Sequence, residues 1–182
     1  MSALSSDITL LRDFSLQKHN TLALPACAEY FCLVNDVDQL YQALVFAKQN
    51  KLDITPLGEG SNLVLATNIK GLVIALELKG IEAEIQDAEK VLVTIAAGEN
   101  WHDTVAYCLE QGFFGLENLA LIPGTVGAAP IQNIGAYGVE LSDYFVSLTA
   151  LEISTGELVQ LDAQKCEFAY RSSIFKQRAL DQ

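Results

Sequence analysis

The hydrophobic pattern of the first third of the chain predicts a strand, a helix and a second strand. Apolar and β-branched residues predominate at positions 29–34 and 52–57, as expected for two strands. Asn35 or Asp36 can cap the helix between them. Apolar residues recur on one helix face at spacings of three and four: Val37, Leu40, Leu44 and Ala47. Residues 1–19 have no clear hydrophobic period, so we expect them to form a loosely ordered N-terminal segment.

Strand-like runs continue through the middle of the chain. Residues 63–65 and 72–78 are apolar runs typical of buried strands. Residues 81–86 and 91–97 alternate in hydrophobicity and are joined by a short polar stretch. The last two runs therefore predict an antiparallel strand pair.

A capped helix and a hairpin are predicted in the second half. Asn100 can cap a helix over residues 101–111, whose inward face would hold Trp101, Val105, Cys108 and Leu109. Residues 145–153 and 157–161 flank Ser154-Thr-Gly156, a three-residue turn typical of a hairpin.

The order of these elements predicts an α+β protein with two lobes. A chain of 182 residues is long enough for one large domain or for two small lobes with cores of their own. The pattern changes from strand, helix and strand to hairpins near residue 79. We therefore expect residues 1–79 to form one lobe and residues 80–182 to form the other.

Composition and charge exclude several classes of partner. Hydrophobic residues make up 51% of the chain and charged residues 19%, which indicates a globular protein. The formal net charge of -12 argues against nucleic acid, whose phosphates require clustered Lys and Arg, and against an anionic membrane surface. No apolar run approaches the ~18 residues that span a bilayer. We expect neither nucleic acid nor a membrane as a partner.

The cysteines indicate reduced core thiols. All four lie in apolar surroundings without C-x-x-C spacing: Cys27, Cys32, Cys108 and Cys166. The N-terminus shows no signal-peptide pattern, so we expect a cytoplasmic protein. The two histidines, His19 and His102, are far apart in sequence, and we expect no metal. His102, in the first turn of a predicted helix, is more typical of a surface residue than of a catalytic one.

Residues 124–138 consist largely of small residues. Glycines stand at four positions and alanines at three: Gly124, Gly127, Gly135, Gly138, Ala128, Ala129 and Ala136. Glycine is costly to order, so such runs occur where a positive φ is needed or where something contacts the main chain. Gln132, Asn133 and Tyr137 add polar groups suited to a planar ligand. A mobile surface loop is the alternative, but proline and branched residues stiffen the segment and favour a pocket lining.

A second glycine loop, Gly58-Glu-Gly-Ser-Asn62, half matches the dinucleotide fingerprint G-x-G-x-x-G. That fingerprint requires a third glycine and a helix directly after it, whereas Leu63 begins a strand-like run. A Rossmann site is therefore not indicated. Successive N–H groups in such a turn can still bind an anion, helped by Ser61 and Asn62. The alternative is a tight strand connection with Asn62 in a left-handed conformation.

Three stretches together resemble a known family. They are residues 58–62, residues 115–138 and Tyr170-Arg-Ser-Ser-Ile-Phe-Lys176, and Asn20-Thr-Leu22 and residues 97–101 also fit. From about residue 19 onward, the chain resembles the UDP-N-acetylenolpyruvoylglucosamine reductases, flavoenzymes of bacterial peptidoglycan precursor synthesis. The 115–138 motif is long and specific, whereas the 58–62 motif alone would be weak.

The resemblance implies a fold and an activity. The fold would be a two-lobed FAD-binding module of the vanillyl-alcohol-oxidase (PCMH) type, lacking the C-terminal substrate-binding domain that follows it in the family. NADPH would reduce the flavin, and the flavin would pass hydride to the enolpyruvyl double bond of a UDP-sugar, giving UDP-N-acetylmuramate. Such an enzyme would serve cell-wall biogenesis and with it cell shape, cell division and the cell cycle. We expect a monomer.

The resemblance also assigns residues to FAD. The first loop would hold the pyrophosphate: Gly58, Glu59, Gly60, Ser61 and Asn62. The later segment would pack on the isoalloxazine and hold the remaining phosphate contacts: Ile122, Pro123, Gly124, Thr125, Gly127, Ala128, Ala129, Ile131, Gln132, Asn133, Gly135, Ala136 and Tyr137. Some family members have serines at 128 and 129, so here main-chain N–H groups must serve. A side chain added at Gly127 or Gly135 would fill ligand space. No His or Cys lies in either segment, so FAD would be noncovalent.

Arg171 matches the family's catalytic arginine, and Tyr170 beside it would orient the substrate or simply pack. Hydride arriving at one carbon leaves negative charge on the neighbouring carbon and its carboxylate, which a fixed guanidinium stabilises. Without the resemblance, a surface ion pair would be the favoured interpretation of Arg171.

The sequence departs from the family in one respect. It ends at Gln182, whereas the family's proton-donating serine and supporting glutamate lie in later segments; Ser172 and Ser173 belong to the arginine motif. We expect an N-terminal portion that binds FAD without completing turnover. Two alternatives stay open: a stand-alone flavin-binding module without reductase activity, and a different flavin oxidase that shares the module.

Overall fold

The computed structural model describes residues 7–180, and their side chains up to residue 177. The chain divides into two compact units, Met1–Lys79 and Gly80–Gln182. The N-terminal segment that we expected to be loosely ordered includes residues 1–6, which lie outside the described residues.

The N-terminal unit is built on a four-stranded sheet packed against one helix. Its elements in chain order are β1 (Leu11–Ser15), β2 (Cys27–Val34), α1 (Val37–Asn50), β3 (Ile54–Leu57) and β4 (Ile69–Leu76). The strand order is β1-β2-β4-β3. β1 pairs antiparallel with β2, and β4 lies parallel to both β2 and β3. The predicted strand, helix and strand are present, with β4 inserted between the two strands.

The two-residue period of the strands divides the hydrophobic core of this unit between two faces of the sheet. One face holds Leu16, Ala28, Phe31, Leu57, Val73 and Ala75. The other face packs against α1, and this cluster holds Cys32, Val34, Leu72 and Ile74 of the sheet together with Ala43 and Ala47 of the helix. A register shift in β2 between Ala28 and Tyr30 explains why Ala28 and Phe31 share a face although they are three residues apart.

Helix α1 begins as predicted but buries a slightly different face. Asp36 is the N-cap, and its side chain accepts a hydrogen bond from the Gln39 amide at 2.7 Å. Gln39 is itself buried, and its Oε1 accepts a hydrogen bond from the Asn35 amide at 2.8 Å. Val37, expected to face the core, is 37% exposed. The buried, hydrogen-bonded side chain of Gln39 therefore occupies part of the helix face on which the hydrophobic pattern placed Val37.

Two expectations for this unit are wrong. Residues 11–15 form strand β1, because pairing with β2 orders a segment that has no hydrophobic period of its own. Residues 63–65 form no strand, and Leu63 and Val64 are 40% and 75% exposed. Regular structure resumes only in β4.

The C-terminal unit consists of antiparallel strand pairs and short helices. Its elements are β5 (Ile81–Ile85), β6 (Val91–Ile95), α2 (Trp101–Glu110), β7 (Gly135–Ala136), β8 (Val139–Glu140), β9 (Ser147–Leu151), β10 (Leu158–Asp162), α3 (Ala163–Cys166) and α4 (Ile174–Leu180). Three 3₁₀ turns also occur, at Glu117–Leu119, Val126–Gln132 and Leu141–Asp143. The predicted pairs β5/β6 and β9/β10 are confirmed, and both units together give the predicted α+β class.

Helix α2 supplies much of the core of this unit. Asn100 caps the helix by accepting a hydrogen bond from the Asp103 amide at 3.0 Å, as predicted. The indole Nε1 of Trp101 donates to the Leu119 carbonyl at 2.8 Å. Thr104 is buried, whereas Leu109 is 38% exposed, so the inward face is rotated from the expected one. The core cluster holds Trp101, Val105, Leu119, Ala129, Ile134 and Leu141.

All four cysteines are free thiols; Cys32, Cys108 and Cys166 are buried, whereas Cys27, expected in the core, is half-buried. Burial raises the pKa of Cys32 to about 11, and it also raises the pKa of Cys108 and Cys166. Among the described residues, no helix is long and apolar enough to cross a bilayer. Within the same residues, no three His, Cys, Asp or Glu side chains are grouped as metal ligands would be.

Replacing Leu72 should destabilise the N-terminal unit strongly. Leu72→Ala should lower the free energy of unfolding by about 2–5 kcal/mol, because Leu72 is fully buried in the cluster that joins β4 to α1. Leu22→Ala is the matched control, since Leu22 is 58% exposed and should cost about 0.5 kcal/mol or less. Urea unfolding followed by circular dichroism measures both. Equal losses of unfolding free energy in the two variants would contradict the assignment of Leu72 to the core.

Candidate functional site

The glycine loop at residues 58–62 directly follows β3 and is held by close backbone packing. Parallel strands of open α/β sheets commonly place ligands beyond their carboxyl ends, which is where this loop lies. Gly60 is buried with a φ of +65°, and a Cβ there would collide with the His19 carbonyl oxygen. The Gly60 carbonyl accepts a hydrogen bond from the Thr21 amide at 3.4 Å. Glycine is therefore required at position 60 by the protein itself.

Asn20 organises the turn against which this loop packs. The side chain is buried, and its Nδ2 donates to the carbonyls of Leu16 at 2.8 Å and Leu24 at 3.1 Å. Its Oδ1 accepts from the Leu24 amide at 2.9 Å. The sequence marked Asn20 only as part of a family motif. Its structural role was missed because it depends on a long turn with no regular period.

Two amides of the loop remain available for an anion. Within the part of the chain that the structure describes, no protein acceptor receives the N–H of Gly60 or of Ser61. Ser61 is half-buried at the loop surface. Adjacent main-chain N–H groups and a hydroxyl are donors that suit phosphate oxygens. The loop therefore fits the pyrophosphate of a dinucleotide in its chemistry.

Residues 124–138, predicted to be a loop that lines a pocket, contain regular secondary structure. Val126–Gln132 forms a 3₁₀ turn that contains Pro130, and β7 and β8 form a short hairpin directly after it. The Thr125 carbonyl accepts from the amides of Ala128 at 3.0 Å and Ala129 at 3.2 Å. The expectation that the main-chain N–H groups of Ala128 and Ala129 serve a ligand is therefore wrong, because the turn already uses them.

Gly127 and Gly135 are required by protein packing. A Cβ at Gly127 would lie 2.7 Å from the Cβ of Ala97 and 3.0 Å from its carbonyl oxygen. A Cβ at Gly135 would lie 2.9 Å from the Val139 carbonyl oxygen. The expectation that a side chain at either position would fill ligand space is wrong, since the protein occupies that space.

The remaining predicted residues of this segment differ in what they expose. Gly124, Thr125, Ala129, Asn133 and Gly135 are buried. Ile122, Ala128, Gln132 and Ala136 are half-buried, and Pro123, Gly127, Ile131 and Tyr137 are exposed. A planar ligand can therefore contact the segment through these last two groups, largely by apolar and aromatic surface.

Tyr137 occupies a strained position at the tip of the β7–β8 hairpin. Tyr137 and Gly138 both have positive φ, +54° and +81°, which is the geometry of a type I′ turn. The first of these positions usually holds Asn, Asp or Gly, and a tyrosine there costs roughly 1 kcal/mol or more. The ring is 89% exposed. An aromatic ring held outward at such a position is a candidate contact for a flat ligand.

Asn133, predicted to contact the cofactor, has no exposed surface and is bonded within the protein. Its Nδ2 donates to Glu140 Oε2 at 2.8 Å and to the Ala169 carbonyl at 3.2 Å. Its Oδ1 accepts from the Ser142 amide at 3.0 Å. The amide therefore joins three segments of the protein, and it presents no group to a ligand.

Arg171 lies in a tight turn of residues 169–172, here named the Arg171 turn. The amides and carbonyls of Ala169 and Ser172 exchange two hydrogen bonds of 3.0 Å. Arg171 has a φ of +52°, which is uncommon outside glycine and asparagine. Its side chain is exposed, and Tyr170 is 84% exposed. Both predicted catalytic residues thus lie at the tip of one turn and point away from the core.

The residues that flank the Arg171 turn are anchored. Ser173 is fully buried, and its Oγ donates to the Ile131 carbonyl at 2.6 Å. Lys176 Nζ donates to the Arg171 carbonyl at 3.0 Å. Ser173 is therefore a structural residue, consistent with its assignment to the arginine motif instead of to proton donation.

His102 supports the chain just before the glycine-rich segment. Its Nδ1 accepts a hydrogen bond from the Leu121 amide at 3.3 Å, and Leu121 has a φ of +62°. The imidazole is half-buried rather than a free surface group. This contact was missed because it joins residues 19 positions apart across two elements.

Two cavities of the N-terminal unit lie away from the predicted residues. One of about 390 Å³ is lined by Ile8, Leu10, Tyr41, Gln42, Val45, Phe46 and Gln49. The other, of about 330 Å³, is lined by Asp7, Thr9, Leu11, Phe31, Leu33, Asn35 and Gln39. Neither includes a residue of the glycine loop, so neither defines the candidate site.

Comparison with known families agrees with this geometry. The family model described as "FAD binding domain" matches residues 28–162, which is most of the chain. The chain belongs to the FAD-binding domain family. The glycine loop and the 124–138 segment both lie inside the matched range.

Named relatives extend this result. A UDP-N-acetylenolpyruvoylglucosamine reductase from Pseudomonas fluorescens is 47% identical over 92% of this chain and 49% of its own length. The solved reductase of that name from Thermus caldophilus superposes with a TM-score of 0.70 at 24% identity, covering 91% of this chain and 56% of that one. The predicted resemblance to these reductases is confirmed, and the chain spans about half the length of the curated relatives it matches.

The fold is shared with more distant flavoproteins. A VAO-type flavoprotein from Myceliophthora thermophila superposes with a TM-score of 0.57 at 16% identity, covering 73% of this chain and 26% of that one. The expected FAD-binding fold of the vanillyl-alcohol-oxidase type is therefore confirmed.

Gly127→Ala should destabilise the protein in the absence of FAD. The new methyl group would overpack the contact with Ala97 and cost about 1–3 kcal/mol of unfolding free energy. Ala97→Gly in the same chain removes the nearer clashing atom and should recover part of that loss. Thermal unfolding without FAD measures both variants. An unchanged melting temperature for Gly127→Ala would show that this glycine is not required by packing.

Proposed function

We propose that this chain binds FAD noncovalently and is the flavin-binding part of an NADPH-dependent UDP-N-acetylenolpyruvoylglucosamine reductase. The observation that carries the proposal is the 47% identity to a protein of that name over 92% of this chain. Because the chain spans about half of that relative, the reaction of the whole protein is inferred from the relative's name. Bound FAD would supply the hydride transfer to the enolpyruvyl group of the UDP-sugar.

The two units divide the contacts with FAD in this proposal. Residues 1–79 form the first flavin-binding lobe, whose amides of Gly60 and Ser61 hold the pyrophosphate. Residues 80–182 form the second lobe, whose exposed Ile131 and Tyr137 supply apolar and aromatic surface for the isoalloxazine. The free N–H groups and the outward tyrosine ring support this division.

Arg171 stabilises charge that develops on the substrate. Its side chain is exposed at the tip of a turn whose flanking residues are anchored, so the backbone is fixed where the guanidinium meets a carboxylate. The substrate carboxylate and the neighbouring carbon gain negative charge when hydride arrives, and a preorganised cation lowers the energy of that state. Tyr170, at the same tip, orients the substrate.

The wider role follows from the same relatives. The product would enter peptidoglycan synthesis, which serves cell shape and division, in a cytoplasmic monomer. The chain spans about half the length of the curated relatives it matches, and the proposal for these 182 residues is FAD binding without complete turnover. A stand-alone flavin-binding module is the second candidate, since the family model that matches residues 28–162 is described as a FAD binding domain.

The proposal is tested by adding FAD to the purified chain. We expect a yellow complex with one equivalent of FAD, and acid denaturation should release the flavin intact because the attachment is noncovalent. Anaerobic NADPH should then bleach the flavin absorbance. A chain that remains colourless with excess FAD would overturn the proposal. A yellow complex that NADPH does not bleach would favour the stand-alone module.

Replacing Arg171 should separate binding from chemistry. Arg171→Ala should leave the FAD dissociation constant within about twofold, because the proposed flavin contacts lie elsewhere. In a fusion of this chain to the remaining half of the Pseudomonas fluorescens relative, kcat should fall about 100- to 1000-fold, the usual loss for one preorganised donor. Steady-state kinetics with NADPH and the UDP-sugar measure this. Turnover comparable to the unmutated fusion would refute the assigned role.

A further inference from the structure

We propose that Asn133 is a positioning residue, which fixes the Arg171 turn to the segment that precedes it in the C-terminal unit. The sequence places Asn133 among cofactor contacts, but its side chain is fully buried and acts through protein groups. The inference rests on the role proposed for Arg171. It adds a specific residue that sets where the guanidinium is held.

The Asn133 amide bonds the carbonyl that closes the Arg171 turn. The Ala169 carbonyl accepts from the Ser172 amide at 3.0 Å and from Asn133 Nδ2 at 3.2 Å. One oxygen thus joins the turn to the end of the 3₁₀ segment. Movement of the turn relative to that segment requires loss of the Asn133 bond.

A second bond fixes the other side of the turn to the same segment. Ser173 Oγ donates to the Ile131 carbonyl at 2.6 Å, with no exposure of the serine. Asn133 and Ile131 are two residues apart, while Ala169 and Ser173 flank the turn. Two bonds on opposite sides of a turn restrain its rotation, which a single bond leaves free.

Asparagine suits position 133 for two reasons. The residue has a φ of +45°, a left-handed conformation that asparagine adopts more readily than most residues. Its amide also provides two donors and an acceptor, which here meet Glu140, Ala169 and Ser142. Aspartate would keep the backbone and the acceptor but lose both donors.

A pair of substitutions separates the two bonds that Asn133 donates. Asn133→Asp places a carboxylate against Glu140 and against the Ala169 carbonyl, so both bonds are lost. Adding Glu140→Gln supplies an amide that can donate to the new aspartate, while the Ala169 carbonyl still lacks its donor. In the double variant, the bond between residues 133 and 140 should therefore be restored, while the bond from residue 133 to the Ala169 carbonyl stays absent.

Trypsin reports on the turn directly, because it cleaves after Arg171. Local opening governs cleavage of a folded protein. We expect the double variant to be cleaved after Arg171 about three- to tenfold faster than the unmutated chain, the effect of losing one hydrogen bond. Cleavage after Lys90, exposed in the β5–β6 turn, is the internal reference and should not change.

Thermal unfolding completes the comparison. Asn133→Asp alone should lower the melting temperature by about 4–8 °C, and Glu140→Gln should recover most of it. If both the melting temperature and the cleavage after Arg171 return to the unmutated values, Asn133 merely supports the hairpin and the proposal is wrong. Ser173→Ala, which removes the second anchor, should also accelerate cleavage after Arg171.

Two further measurements keep the result decisive. Asn133→Gly retains the left-handed backbone at low cost and removes all three side-chain bonds together. If the charged variants do not fold, this variant should still accelerate cleavage after Arg171, and unchanged cleavage would contradict the proposal. FAD titration of the double variant should give a dissociation constant within about twofold of the unmutated chain. A tenfold loss of FAD affinity with unchanged cleavage after Arg171 would restore Asn133 as a cofactor contact.

Failure of the unmutated chain to bind FAD would overturn the proposed function, while the cleavage comparison would still decide the role of Asn133.

Discussion

Close packing of main chain against main chain is the constraint on which both glycine-containing segments depend. A Cβ at Gly60 would collide with the His19 carbonyl oxygen, and a Cβ at Gly127 would lie 3.0 Å from the Ala97 carbonyl oxygen. Glycine is required at both positions before any ligand is considered. These close contacts then determine which groups can meet a ligand: the amides of Gly60 and Ser61, and the exposed side chains of Ile131 and Tyr137.

This constraint also fits the charge of the protein. A chain with a formal net charge of -12 offers few cations for a pyrophosphate, and the glycine loop contains none. Main-chain N–H groups bind anions through fixed dipoles that do not titrate and that carry no mobile side chain. The one cation among the predicted site residues, Arg171, lies in a turn, and the proposed role for it is to meet the negative charge that develops on the substrate.

Much of the fold could be predicted from local signals. Asp36 and Asn100 each precede an apolar period of three and four, and both cap helices. Strand β1 and the irregular residues 63–65 could not be predicted, because a local pattern does not show which segments find a partner strand: β1 pairs with β2, whereas residues 63–65 form no strand. The same reason explains Asn133, whose partners lie 7, 9 and 36 positions away. A polar residue in a glycine-rich run suggests ligand contact, and only its burial shows that its partners are protein groups.

The central claim is the proposed set of FAD contacts: the amides of Gly60 and Ser61 in the glycine loop, and the exposed side chains of Ile131 and Tyr137. Amide hydrogen exchange with and without FAD tests it most directly, because bound phosphate oxygens and a covering ring both slow exchange at the groups they contact. The account predicts slower exchange at residues 58–62 and at residues 131–137 when FAD is added. Unchanged exchange in both segments, with FAD bound as judged by its absorbance, would contradict it.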